Sequence, residues 1–289
     1  MQQAKKLILV PVDFSNVSIE ALELAGKIAH KVNGEILLLH VVETYDENVG
    51  LDEKLANVNE TTVKAKLEEI RAEKQSLWGV NTMVIERQGK IHKVIREVAN
   101  EKNAWMIIMG TTGASGLSDI SRFLLGSNAL RTVQLSEAPV LTIREGNYNG
   151  DFKNILLPLQ AGKPTLEKVD YAMRFALAFN STVHILAVTS EFEYAGGKDK
   201  DVEEMMKMVA DKLVDQGLKV TVNSVHEKKN VGEEINDYSE KMNSDLTIIM
   251  TRQESAITDL IMGSRARTII TKSTRPVLSL RPEQAVDFN

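Results

Sequence analysis

The sequence predicts two tandem α/β domains, each a doubly wound, five-stranded and mainly parallel sheet with helices on both faces. Short apolar runs rich in Ile, Leu and Val alternate with longer segments of helical period, which is the pattern of βα units around a buried parallel sheet. The whole pattern occurs twice in 289 residues, a length that suits two domains. The fold class therefore follows from the alternation, and the domain number from the repeat.

The duplication is visible strand by strand. The first strand, KLILVPVD at 6–13, matches KNILLPLQ at 153–160. The fourth strand, AWMIIMG at 104–110, matches DLTIIMT at 245–251. A duplicated domain makes every motif of the first copy comparable with its counterpart in the second.

The last strand and the linker set the expected domain boundaries. APVLTIR at 138–144 matches RPVLSLR at 275–281. The segment between the copies, 145–151, is polar and contains glycine, as a linker does. We therefore expect one domain at 1–146 and a second at 151–282.

The helices of the first copy follow the strands in order. In 15–33 the apolar residues fall on one stripe, Ser15 can cap the N-terminus, and Gly34 stands where a helix ends in a left-handed residue. The counterpart in the second copy is expected at 164–180. The remaining elements of the first copy are expected as helices at 51–77, 91–101 and 119–135 and as strands near 81–87 and 138–144.

Composition excludes several function classes. The net charge of −5 lacks the basic excess that attracts nucleic-acid phosphates. With no cysteine, the chain has neither a disulfide framework nor a thiolate zinc site. The apolar run near the start is too short for a secretory signal or a membrane span, so we expect a cytoplasmic protein that contacts neither nucleic acid nor membrane.

The fourth strand of the first copy runs into a glycine-rich and hydroxyl-rich segment, GTTGASGLSDISRFLLGSN at 110–128. It lies at the carboxyl end of a strand and before a predicted helix, where ligands of doubly wound sheets bind and where a helix N-terminus favours anions. The segment is not a P-loop, because it contains no GxxxxGK[ST] motif. Its composition leaves two interpretations open, a phosphate-binding loop and a simple turn.

The strand VPVD at 10–13, the motif MGTTGASGLS at 109–118 and the motif LGS at 125–127 together resemble the universal stress proteins. The resemblance extends over the whole chain, as a tandem of two such domains. It implies a Rossmann-like fold of the adenine-nucleotide α-hydrolase-like group, a role in stress response, and binding of ATP or ADP, with Mg²⁺ left open as a companion. It implies no catalytic residue and no protein-held metal.

Residue by residue, the resemblance implies a nucleotide site in the first copy. Asp13 ends its strand as a hydrogen-bond acceptor, and the strand-end backbone near Val41 can pair with an adenine edge. The expected contacts with the adenosine are Pro11, Val12, Asp13 and Val41, and those with ribose and phosphates are Gly110, Thr111, Gly113, Gly126, Ser127 and Asn128.

One departure bears on this site. Twelve residues separate Gly113 from Gly126, where the family pattern has nine. The added residues can bulge without effect, place Asp119 against the phosphates, or bring Arg122 towards them. The sequence does not decide between these outcomes.

The second copy departs further from the pattern. Gln160 stands in place of Asp13, TRQE at 251–254 replaces GTTG, and only Gly263–Ser264 remains of the glycine motif. We therefore expect no nucleotide there. Its expected role is structural, because domains of this family pair through their last strands and the two copies can form an intramolecular pseudo-dimer.

Three functions remain open. The first is a nucleotide-binding module that acts on an unidentified protein partner, the second a nucleotide-free scaffold, and the third a weak ATPase or adenylate-transferring enzyme. No nucleophile–base pair supports an enzyme.

The remaining histidines and methionines are expected in structural positions. We expect His92 on the surface, His40 at least half-buried, and the methionines of 205–208 in packing contacts. Association of two chains into a homodimer stays open.

Overall fold

The computed structural model describes residues 5–43, 53–111, 126–159, 166–189, 199–226, 230–251 and 263–281. In the first half, strands and helices alternate as the sequence predicts. Its elements are β1 (Leu7–Pro11), α1 (Asn16–Val32), β2 (Glu35–Val42), α2 (Glu53–Trp78), β3 (Thr82–Gln88), α3 (Ile91–Glu101), β4 (Met106–Gly110), α4 (Ser127–Leu135) and β5 (Val140–Ile143).

The second half repeats this order. Its elements are β6 (Asn154–Leu159), α5 (Leu166–Phe179), β7 (Thr182–Thr189), α6 (Asp199–Asp215), β8 (Lys219–His226), α7 (Val231–Lys241), β9 (Leu246–Met250), α8 (Ser264–Lys272) and β10 (Val277–Leu280).

The ten strands found in the described residues form one sheet, in the order β3-β2-β1-β4-β5-β10-β9-β6-β7-β8. Within each half the strands are parallel, and the order in which they follow one another in the sheet reverses at the first strand, between β1 and β4 and again between β6 and β9. The halves join where β5 and β10 pair antiparallel, with Leu141 opposite Leu278. The pairing of last strands that the family resemblance implied is therefore present within one chain.

Helices cover both faces of this sheet. One core contains α1, α5 and α6 with residues such as Ile8, Phe175 and Met206, and the other contains α3, α4, α7 and α8 with residues such as Leu9 and Ile269. Each core includes residues of both halves. Met205 and Met206 are buried as expected, whereas Met208 is exposed.

Helix α1 begins as predicted but ends differently. Ser15 Oγ accepts a 3.3 Å hydrogen bond from the backbone N–H of Ser18, which is an N-cap. The left-handed residue at its C-terminus is Asn33, with φ of 52°, so the assignment of that role to Gly34 was wrong. Gly34 is required for another reason, since a Cβ there would lie 2.6 Å from the carbonyl oxygen of Lys6.

The linker is anchored on α1. The backbone N–H of Gly146 donates to Glu20 at 2.8 Å, and the ammonium of Lys27 donates to the carbonyl of Tyr148 at 2.5 Å.

Helix α2 is long and charged. Its Lys74 forms an ion pair with Glu23 of α1 at 2.6 Å. Over the residues described, none of the helices combines the length and apolar character needed to cross a membrane.

Candidate functional site

A cavity of about 320 Å³ opens at the carboxyl edge of the sheet in the first half. It lies at the switch point between β1 and β4, where doubly wound sheets hold their ligands. The ends of β1, β2 and β4 form its floor, and the first turns of α3 and α4 form its walls. Its volume is at the lower end of the range of small-molecule sites.

The structure brings together the residues that the sequence proposed for a nucleotide, as far as it describes them. Gly113 lies outside the described residues, as do Asp119 and Arg122 of the extra loop residues. The proposed residues that line the cavity are Pro11, Val12, Asp13, Val41, Gly110, Thr111, Gly126, Ser127 and Asn128.

A tight turn after β1 fixes Asp13. The next residue, Phe14, has φ of 64°, a left-handed conformation that a bulky side chain rarely adopts. This turn places the Asp13 carboxylate on Ser15, which donates its backbone N–H at 3.0 Å and its hydroxyl at 2.5 Å. Asp13 is therefore an exposed but oriented acceptor at the cavity rim.

The end of β2 extends past the end of β1. The last backbone hydrogen bond between them runs from the N–H of Val12 to the carbonyl of Leu39, at 2.8 Å. Because alternate residues of a parallel strand direct their backbone groups to the same neighbour, Val41 faces the β1 side, whereas Val42 accepts from Gly89 of the β3 side. Within the described residues Val41 makes no backbone hydrogen bond towards β1, so its N–H and C=O border the cavity.

His40 supports this edge from one side. Its Nδ1 lies 2.8 Å from the carbonyl oxygen of Val12, so Nδ1 is the protonated ring nitrogen. The ring also packs on Phe14, with centroids 5.1 Å apart. The expectation of a half-buried His40 is met, and its role is to hold the turn after β1.

The opposite wall is the start of α4. The helix begins at Ser127 after the non-helical Gly126, so the prediction of one continuous helix over 119–135 was wrong; residues 119–125 of that prediction lie outside the described residues. The N–H of Gly126 donates to the carbonyl of Thr111 at 2.7 Å, which joins the residue before α4 to the residue after β4. A Cβ on Gly126 would lie only 3.1 Å from that carbonyl oxygen, so a glycine fits this close approach.

This geometry directs the first backbone N–H groups of α4 at the cavity. The first N–H groups of a helix have no intrahelical acceptor and carry partial positive charge. At α4 they belong to Ser127 and Asn128, both on the cavity wall. The site therefore has backbone N–H donors of a helix at one end, at α4, and strand-end backbone hydrogen-bonding groups at the other, at Val41.

Sequence reasoning missed several lining residues. Ile91 and Ile95 are spaced one helical turn apart at the start of α3, and this i,i+4 spacing was the available signal. The other missed residues have no motif and are recognised only through tertiary proximity. They are Ser18, Leu39, Glu43, Met109 and Ala129.

His92 lies behind this wall, and its expected surface position was wrong. It is 7% exposed and hydrogen-bonded to the side chain of Asn128. Burial lowers its pKa, an effect that the hydrogen bond to the Asn128 side chain partly opposes, because it favours the protonated ring. A buried histidine therefore supports Asn128 at the start of α4.

The second half has the same framework with different side chains. Thr251 donates its N–H to Leu280 at 2.8 Å, as Thr111 does to Ile143, and α8 begins at Ser264 after Gly263. Arg265 is half-buried and Arg267 exposed. Gln160 and the residues 252–254 that replace the glycine motif lie outside the described residues.

No metal site accompanies the cavity in the part of the chain that the structure describes. There, His, Asp and Glu side chains nowhere gather in groups of three or more that could hold an ion. Any divalent cation at this site would depend on ligand oxygens in addition to protein carboxylates.

Comparison with known proteins identifies relatives of both halves. The family model described as universal stress protein family matches residues 5–144 and 151–281. A universal stress protein of Methanocaldococcus jannaschii is 32% identical over 145 residues, which are 48% of this chain and 82% of that protein. The Bacillus subtilis universal stress protein YxiE is 32% identical over 147 residues, 47% of this chain and 97% of that protein.

Several solved structures are similar over nearly the full length. A universal stress protein from Archaeoglobus fulgidus superposes with a TM-score of 0.75 at 23% identity and covers 96% of each chain. At this identity the similarity shows the fold, a tandem α/β arrangement with helices on both faces of a mostly parallel sheet.

Proposed function

The chain belongs to the universal stress protein family, and we propose that it is a stress-response module whose first half binds ATP or ADP in the cavity at the carboxyl edge of the sheet. The observation that carries this proposal is that two unlike surfaces face the same cavity of about 320 Å³. One is the N-terminus of α4, and the other is the strand-end backbone at Val41. An adenine nucleotide has a matching anionic end and a matching hydrogen-bonding base.

At the α4 side of the cavity, the N–H groups of Ser127 and Asn128 and the hydroxyl of Ser127 would donate to phosphate oxygens. Gly126 lets the chain entering α4 lie close to Thr111, because a Cβ there would be only 3.1 Å from the Thr111 carbonyl oxygen, and this approach fixes where the donors stand.

At the other end, the N–H and C=O of Val41 would pair with the adenine edge, which presents both an acceptor and a donor. Ile91 and Ile95 would cover one face of the base. Asp13 at the rim would accept from the ribose hydroxyls, since its carboxylate is already oriented by Ser15.

For the second half we propose a structural role without nucleotide. Its motif keeps Gly263 and Ser264, but Glu254 brings a carboxylate to a segment where the first half has a glycine. Like charges disfavour a phosphate in such a position. The antiparallel pair of β5 and β10 would make the second half the permanent partner of the first.

The test uses one glutamate substitution in each half. Ser127 and Ser264 are both exposed and both the first residue of a helix, α4 and α8. A carboxylate at either position favours its own helix by about 0.3–1 kcal/mol, so a loss of binding cannot come from helix damage. Ser127→Glu should weaken ATP binding on the order of 100-fold by charge repulsion, and Ser264→Glu should leave it unchanged.

Calorimetric titration of the nucleotide-stripped chain with ATP and Mg²⁺ measures both effects. The wild-type chain should show one site per chain. A loss of binding in Ser264→Glu alone would move the site to the second half. Neither heat nor thermal stabilisation of the wild-type chain at millimolar ATP would overturn the proposal and leave the scaffold function.

A further inference from the structure

Each half sends an arginine into the other at the junction of the two last strands. Arg144 follows β5, and its guanidinium donates to the carbonyl of Thr271 in α8 at 2.8 Å. Arg281 follows β10, and its Nη1 donates to the carbonyl of Leu135 at 2.9 Å and to that of Ser136 at 3.4 Å. The two contacts are reciprocal, because β5 and β10 pair antiparallel.

The contact of Arg281 falls on the C-terminus of the helix that borders the cavity. Leu135 is the last residue of α4 and Ser136 is its C-cap. Carbonyl groups at a helix end lack intrahelical donors and carry partial negative charge, so a guanidinium there supplies both a donor and a favourable charge. Arg281 therefore fixes the C-terminal end of α4, opposite to the end that carries Ser127 and Asn128.

Helix α4 is short enough for its two ends to move together. It has nine residues and so spans about 14 Å. Its N-terminal side is held by the hydrogen bond from Gly126 to Thr111 at 2.7 Å, and its C-terminal side by Arg281. A displacement at Leu135 would shift Ser127 and Asn128 relative to the strand ends, because the hydrogen-bonded turns between them transmit it.

We propose that Arg281 of the second half is a positioning residue for the nucleotide site of the first half. This inference rests on the proposed function and deepens it. The second half then does more than complete a pseudo-dimer, since it sets the position of the helix that receives the phosphates. Arg144 has no such role, because the helix it contacts, α8, belongs to the second half.

The matched pair Arg281→Ala and Arg144→Ala tests this assignment. Both variants lose an arginine contact between the halves, and both should lower the thermal midpoint by similar amounts. Titration with ATP and Mg²⁺ should show a Kd raised roughly five- to tenfold in Arg281→Ala, a cost of about 1 kcal/mol or slightly more. In Arg144→Ala the Kd should stay within about twofold of the wild type. Arg281→Lys should recover part of the affinity, because an ammonium can still donate to Leu135.

Amide hydrogen exchange gives a second readout that does not depend on ATP. In the nucleotide-free chain, the amides of Leu130 to Leu135 should exchange faster in Arg281→Ala than in Arg144→Ala. Wild-type affinity in Arg281→Ala, an equal loss in Arg144→Ala, or unchanged exchange in α4 would each overturn the inference. A wild-type chain that binds no ATP would instead overturn the proposed function. Faster exchange confined to α4 in Arg281→Ala would then show that Arg281 stabilises the helix but positions no nucleotide site.

Discussion

Lys168 shows at the residue scale what the repeat did not predict. It lies in α5 where the first half has the fully buried Ala21, and it is itself 8% exposed. Its ammonium donates to the carbonyl of Pro158 at 2.5 Å, at the end of β6. Burial lowers the pKa of Lys168 to about 8. A helical position on a buried stripe predicted an apolar side chain, and a lysine that reaches a strand-end carbonyl takes its place.

Lys168→Met should stabilise the protein at neutral pH. The folded state holds the proton less tightly than the unfolded chain, whose lysine pKa is near 10.5, so the full destabilisation is present below pH 8. Stability of the wild type should rise between pH 8 and 10.5 as this destabilisation disappears. Removal of the charge should add about 1–3 kcal/mol to the free energy of unfolding at pH 7, once the lost hydrogen bond is counted.

Urea unfolding at pH 7 and pH 10 measures the effect. The gap between wild type and Lys168→Met should narrow at the higher pH. The same substitution at the exposed Lys207 controls for the loss of one charge. A less stable Lys168→Met at pH 7, or a gap that does not change with pH, would contradict this account.

At the scale of elements, the contact of α1 with α2 reverses a rule of helix propensity. Gly26 lies inside α1, where glycine costs about 1 kcal/mol relative to alanine. A Cβ at Gly26 would lie 2.3 Å from the Trp78 ring, at the end of α2. The sequence predicts both helices, but only their packing explains why this glycine is needed.

Gly26→Ala should therefore destabilise the chain by about 1–3 kcal/mol, because the tryptophan must move to admit one methyl group. Chemical unfolding of Gly26→Ala, alone and combined with Trp78→Leu, separates the two effects. In the combined variant, Gly26→Ala should become neutral or stabilising. A stabilising Gly26→Ala in the presence of Trp78 would show that the two helices do not meet as closely as described.

At the scale of the whole molecule, the halves share one sheet and both cores. Strands β5 and β10 are hydrogen-bonded across the junction, and residues of both halves occur in the core on each face of the sheet. Both tryptophans of the sequence, Trp78 and Trp105, lie in the first half. Their fluorescence therefore reports the first half, while circular dichroism reports the helices of both.

Phe175→Ala in the second half should lower the thermal midpoint seen by tryptophan fluorescence and the one seen by circular dichroism by the same amount. Phe175 is fully buried and stacks on Phe179 with centroids 4.5 Å apart, so its truncation should cost about 3–5 kcal/mol. Thermal unfolding followed by tryptophan fluorescence and circular dichroism should show one common midpoint, shifted equally in this variant. Leu177→Ala, at a half-exposed position of the same helix, should shift it little. If Phe175→Ala left the midpoint of the tryptophan fluorescence transition unchanged, the two halves would unfold independently.

Sequence by itself determined the duplicated α/β architecture, because the apolar period defines each strand and helix and the repeat gives the domain number. It also determined, through the resemblance of its motifs to a known family, the pairing of last strands and most residues of the cavity. The helix start at Ser127, the burial of His92 and the reach of Arg281 to α4 were decided only by the tertiary structure. They depend on contacts between residues far apart in the chain, and no local period or spacing records such contacts.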